Sequence, residues 1–266
     1  MGPECPKRPK IHRGKSSGSH PGSLGCVGLD YVNLNDRPPG RIISLAARVL
    51  PGVREVQDQV VPYAAAWSAH NDSALAATGP LWVALGDSMT QGIGAGAYDR
   101  GWVGQLAARM PGWRVVNLAI TGGIVRDVLD RQLPALDSLG AVPDLVTVMI
   151  GSNDMFNPRY RPQLATDLPA LLDRLPPGTV VGNQPGPFSA ALEINRMIDD
   201  AVARRGTVGD GRADGGGPGR AGLVLAEFRD PRTRTWRGKL AADHFHPNEL
   251  GYAGMAEIME EAIQRR

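Results

Sequence analysis

From Leu81 onward, apolar runs of strand length alternate with stretches of helical period, and no other feature constrains the fold of this chain as strongly. The strand-length runs cover residues 81–86, 115–120, 145–150, 179–182 and 223–228. Helical patterns lie between and after them, at about 101–110, 122–139, 162–175, 188–205 and 248–265. Strands that are apolar on both faces and separated by helices form a parallel sheet covered on both sides. The expectation is therefore an α/β, doubly wound domain over residues 80–266. In such a sheet a ligand sits beyond the carboxyl ends of the strands, where the strand order reverses.

With the five-stranded order 2-1-3-4-5, the segments after strands one, two and three meet at that point. They read Gly86-Asp87-Ser88-Met89-Thr90-Gln91-Gly92, Thr121-Gly122-Gly123 and Gly151-Ser152-Asn153-Asp154. Ser88 offers a hydroxyl nucleophile. The N–H groups of Ser88 and Gly122 and the Asn153 amide offer donors for a developing oxyanion, as acyl transfer requires. Gly123 is an alternative source for the second donor.

Composition narrows the search for a base. Of five histidines, His12 and His20 fall within residues 1–40 and His70 precedes the first strand, leaving His244 and His246. Asp243 stands three residues before His246, a spacing at which one turn lets the carboxylate hold the imidazole tautomer. The connection from strand five has three strand spacings to cross, about 14 Å. Residues 229–242 can extend on the order of 45 Å, so the histidine can reach Ser88. Both cysteines, Cys5 and Cys26, also lie before residue 41, which excludes a thiolate nucleophile, a Cys-based zinc site or a disulfide within residues 41–266.

These blocks resemble the SGNH, or GDSL-like, hydrolases. Gly86-Asp87-Ser88 with Gly92 is similar to the family's first block, Asn117 to Gly122 to its second, Gly151 to Asp154 to its third, and Asp243 to His246 to its last. The resemblance implies a three-layer, flavodoxin-like sandwich. It also implies metal-free and cofactor-free cleavage of carboxylic esters or thioesters through an acyl-enzyme. Ser88 is then the nucleophile, His246 the base and Asp243 its orienting partner, with the oxyanion hole from Ser88, Gly122 and Asn153. Met89 replaces the family's leucine, and His244 stands where a small residue is usual, so two histidines compete for the role of base. An acyltransferase could use the same residues.

Taken singly, these residues have plainer readings. Ser88 alone would be a helix N-cap, Asp87 a capping residue, Asn153 a brace for a turn and Asp154 a structural support. A nucleotide-binding module is suggested by Gly92, Gly94 and Gly96, but their spacing is not G-x-G-x-x-G and no acid for a ribose follows strand two.

Residues 1–40 hold six basic and three acidic side chains, leaving 23 against 24 in the remainder. The basic balance thus belongs to the N-terminal segment, and nucleic acid is not an expected partner. That segment is rich in Gly, Pro and Ser with little apolar periodicity, so a disordered basic tail is expected. Residues 41–79 read as one short and one or two longer amphipathic helices packed on the main domain, broken at Pro51 and Pro62. A glycine-rich run at 207–221 reads as a flexible insertion. Neither a secretory signal nor a transmembrane segment is evident, which points to a cytoplasmic protein, and the substrate that the resemblance implies is a small-molecule ester or thioester.

Overall fold

Strands β1 (Leu81–Gly86), β2 (Arg114–Asn117), β3 (Leu145–Met149), β4 (Val180–Gly182) and β5 (Val224–Ala226) form one sheet in the order β2-β1-β3-β4-β5. Every pairing is parallel. The coordinates are a computed structural model that describes residues 29–38, 41–186, 189–206 and 222–266. Expectations for residues 1–28 and for the 207–221 run lie outside the described residues.

Helices α1 (Arg41–Val49), α2 (Pro51–Gln57) and α3 (Val60–Ala76) precede the sheet, and α4 (Ser88–Gln91) and α5 (Trp102–Ala107) join β1 to β2. A π-helical turn, Val128–Gln132, links α6 (Val125–Asp127) to α7 (Leu133–Asp137) between β2 and β3. Helices α8 (Ser152–Phe156) and α9 (Arg161–Arg174) lead to β4, and α10 (Ser189–Arg205) leads to β5. Helices α11 (Pro231–Arg234) and α12 (Glu249–Gln264) end the described chain.

The two-residue period of β1 divides the core. Leu81, Val83 and Leu85 pack with residues of α9 and α10, whereas Trp82 and Ala84 pack with residues of α5 and α12. The result is the expected three-layer α/β sandwich.

Local departures from expectation have physical causes. The run at 115–120 leaves the strand at Asn117, yet Leu118 and Ile120 still donate N–H bonds to Ala84 and Gly86 on β1, at 2.8 and 3.2 Å. The helix expected over 122–139 starts at Val125 and contains the π turn just before Pro134, which has no N–H to continue an α-helical ladder. Pro62 does not break a helix. It sits in the first turn of α3, where the missing N–H has no intrahelical partner to lose.

The larger correction concerns residues 29–38. They were expected within a disordered tail, but they run along the carboxyl end of β2, at the edge of the sheet, and Asn33 is buried there. Its amide donates to the carbonyls of Asn117 and Ala119, at 2.8 and 3.0 Å. Asn71 of α3 completes the edge, accepting the Asn117 N–H and donating to its carbonyl, both at 2.8 Å. Apolar periodicity does not detect such a segment, because side-chain amides rather than hydrophobic contacts hold it. Each buried backbone group left unpaired at this edge would cost about 1–3 kcal/mol.

Candidate active site

Ser88 follows β1 as the first residue of α4 and is 4% exposed. Asp87, not Ser88, caps that helix, accepting from the Met89 N–H at 3.0 Å. The other Asp87 oxygen accepts from Ser152 Oγ at 2.6 Å, and burial pushes this carboxyl's pKa up. Asp87 is thereby committed to the turn, and the Ser88 hydroxyl is left to face the C-terminal segment.

That segment brings His246 back over the sheet. Residues 239–248 fold into a tight loop in which Leu240 bridges Pro247 and the Ala241 N–H donates to the His246 carbonyl at 2.8 Å. His246 Nε2 lies 3.0 Å from Ser88 Oγ, and Nδ1 lies 2.6 Å from Asp243 Oδ2. The second Asp243 oxygen accepts the N–H groups of Phe245 and His246, both at 3.0 Å. Burial works to raise the Asp243 pKa, but the His246 imidazole and these two N–H groups outweigh it and hold the carboxyl below its ordinary value. His244 takes the turn at φ +56° instead of joining the pair. The two histidines suggested by the sequence are thus separated by geometry.

Gly94 explains the glycine-rich run. At φ +96°, it packs so closely on the loop that a Cβ there would lie 2.5 Å from the Pro247 carbonyl oxygen and 3.0 Å from the His246 Cβ. Gln59, between α2 and α3, accepts the Gly94 N–H at 2.7 Å. Gly94 therefore seats the histidine loop, while Gly92 packs against Gly101 instead.

Gly122 and Asn153 stand at the ends of the neighbouring strands as expected. The Gly123 N–H is bonded to the Ile120 carbonyl at 2.8 Å, which removes Gly123 as a donor to a ligand. Among the described residues, neither the Ser88 nor the Gly122 N–H has an acceptor. Asn153 Nδ2 uses one hydrogen on the Gly123 carbonyl at 2.8 Å, which orients the amide and leaves its second hydrogen available. Two free N–H groups, an oriented amide and a serine–histidine–aspartate chain can together support nucleophilic attack and receive negative charge.

Gln132, Phe156 and Phe245 contribute to the site without having been foreseen. Gln132, in the π turn, accepts the Gly86 N–H and donates to the Gly86 carbonyl, both at 2.8 Å, fixing the strand end that carries Ser88. A buried polar residue amid Val128, Leu129 and Leu133 was the available signal. Phe245 lies edge-on to His246 at 5.0 Å and to Phe156 at 5.7 Å, and both phenyl rings are exposed. Asp154, expected as a structural support, accepts from the Val125 N–H, and burial pushes its pKa up to about 7.

Among the described residues no three His, Cys, Asp or Glu side chains cluster as metal ligands, and no helix is long and apolar enough to cross a membrane. Solved structures of similar fold include a variant of Axe2, an acetyl xylan esterase from Geobacillus stearothermophilus, with TM-score 0.52 and 20% identity over 71% of this chain and 96% of that one. Another is TesA, with TM-score 0.52 and 19% identity over 69% of this chain and 98% of that one. At these identities the likeness is one of fold. A lipase from Streptomyces rimosus is 37% identical over 83 residues, spanning 27% of this chain and 30% of the relative's length. Residues 84–253, well over half of the chain, match the GDSL-like Lipase/Acylhydrolase family, and the chain belongs to that family.

Proposed function

We propose that this protein is a serine hydrolase that cleaves carboxylic esters or thioesters through an acyl-enzyme. The observation that carries this reading is the unbroken contact chain from Ser88 Oγ through His246 to Asp243, at 3.0 and 2.6 Å. With Nδ1–H donated to the Asp243 carboxylate, Nε2 carries the lone pair that accepts the serine proton.

Ser88 Oγ attacks the acyl carbonyl carbon as its proton passes to Nε2. Negative charge develops on the carbonyl oxygen, and the N–H groups of Ser88 and Gly122 with Asn153 Nδ2 stabilise it. His246 then protonates the departing alkoxide or thiolate, leaving the acyl group on Ser88. Water attacks that ester, with His246 again taking a proton, and the collapse of the second tetrahedral species frees the acid and restores Ser88. The edge-on pair Phe156 and Phe245 supplies an apolar wall beside the imidazole for the acyl or leaving group.

A p-nitrophenyl ester series of increasing acyl length, with one acyl thioester, tests the proposal. Turnover of at least one member, with a pre-steady-state burst equal to the enzyme concentration wherever deacylation is slow, is expected. Absence of turnover across the series would refute the reading.

A further inference from the structure

Residues 29–38 precede the matched 84–253 region, yet their side chains reach the backbone of the candidate oxyanion loop. Because β2 is an edge strand, the carbonyls at its carboxyl end have no strand partner on the outer side. Every second residue of the segment supplies a donor instead. Tyr31 donates to the Leu118 carbonyl, Asn33 to those of Asn117 and Ala119, Asn35 to those of Thr121 and Gly122, and Arg37 to that of Gly122. The donors alternate from Tyr31 to Arg37 although the segment bends at residues 33–34 and 36–37.

We infer that this segment is a strap that sets the oxyanion hole, with Asn35 and Arg37 as positioning residues for the Gly122 N–H. The inference rests on the proposed role of Gly122. The Gly122 N–H shares a planar peptide unit with the Thr121 carbonyl, so a donor that fixes this oxygen also fixes the direction of the N–H. Asn35 Nδ2 stands 3.4 Å from that oxygen and 3.2 Å from the Gly122 oxygen, spanning both peptides that flank the Gly122 Cα.

Gly122 needs such restraint. It adopts φ +71° without a Cβ, a residue whose backbone is otherwise the freest in the loop. A donor on the Thr121 carbonyl also polarises that peptide and strengthens its N–H as a donor. The Asn35 amide is itself aimed, because its Oδ1 accepts the Arg37 N–H at 2.9 Å in an Asx turn. Arg37 then joins the Gly122 carbonyl, at 3.2 Å, to the Asp127 carboxylate, with which it forms an ion pair. Asp127 accepts the Ile124 N–H at 2.8 Å, so the strap closes on both ends of the 122–127 turn.

The test compares Asn35→Ala and the donor-free isostere Asn35→Asp with Tyr31→Phe, which removes a strap bond away from Gly122. Three readouts are taken: kcat and KM on a p-nitrophenyl ester, Ki for a trifluoromethyl ketone whose hemiketal on the serine carries the oxyanion, and Tm. Both Asn35 variants are expected to lose kcat about tenfold and to weaken the ketone by the same factor with KM within about twofold. Tyr31→Phe is expected to lower Tm without moving kcat or Ki.

Losses of kcat that follow Tm in all three variants would reduce the strap to a stabilising element and overturn the inference. Unchanged kcat and Ki in both Asn35 variants, with kcat still lost in Asn153→Ala, would overturn the inference alone. If Asn153→Ala is unaffected as well, the oxyanion reading falls and the strap's role falls with it.

Discussion

His246 Nε2 lies 3.0 Å from Ser88 Oγ across a sequence separation of 158 residues. Ser88 is held from one side by the Asp87 cap and by Gln132 on Gly86, and His246 from the other by Asp243 and the closely packed Gly94. Each partner thus has anchors of its own besides this contact.

Only one of the two neighbouring histidines should matter for turnover. His246→Ala is expected to lower kcat by about 10⁴ or more. His244→Gly should retain kcat, and its stability should hold or rise, because glycine adopts the φ of +56° at that position without strain. Steady-state kinetics and thermal melting of the two variants check this, and the opposite kinetic ranking would exchange the roles.

Asn153 is oriented through its bond to the Gly123 carbonyl, with its second amide hydrogen left available. Asn153→Ala should cost about 10²–10³ in kcat, roughly 3–4 kcal/mol, with little change in KM. A kcat within a factor of two of the parent would return Asn153 to bracing the turn.

The buried Asp154 carboxyl, with its pKa pushed up to about 7, makes stability depend on pH. The native state holds this proton more tightly than the unfolded chain, whose carboxyl titrates at about 3.9. Between those values the folded protein binds more protons, so this contribution is present at low pH and is lost as pH rises through about 7. Asp154→Asn keeps an acceptor for the Val125 N–H without the charge. Urea unfolding should show the variant gaining on the parent from pH 5 to pH 8, by up to about 3 kcal/mol. A difference that stays constant with pH would contradict the assignment.

Asn71 ties α3 to the sheet edge through the N–H and carbonyl of Asn117. Asn71→Ala removes both bonds without adding volume, leaving the buried Asn117 N–H unsatisfied. A loss of about 1–3 kcal/mol is expected, within a single unfolding transition if α3 and the sheet form one cooperative unit. A neutral result, or two transitions, would separate α3 from the hydrolase domain.

The legible parts of this chain were those governed by hydrophobic period and by short blocks. Val83, Val146 and their neighbours announced buried strands, and the topology rule then brought Ser88, Gly122 and Asn153 to one end of the sheet. Asp243 and His246 were readable because three residues of separation suffice for one turn. What stayed hidden works through polar side chains that satisfy backbone groups. Asn33, Asn35, Asn71 and Gln132 carry no apolar pattern, and an asparagine that caps an edge strand looks like one in a loop. The alternation of Tyr31, Asn33, Asn35 and Arg37 was visible, but it acquires meaning only beside an edge that needs donors. The π turn before Pro134 likewise interrupts a segment whose apolar spacing reads as continuous helix.

The central claim is that Ser88 is the nucleophile activated by His246. Brief treatment with a fluorophosphonate, followed by peptide mass mapping, tests it most directly. The account predicts one adduct, on the peptide containing Ser88, absent in Ser88→Ala and strongly slowed in His246→Ala. An adduct on another residue, or equal labelling of Ser88→Ala, would contradict it.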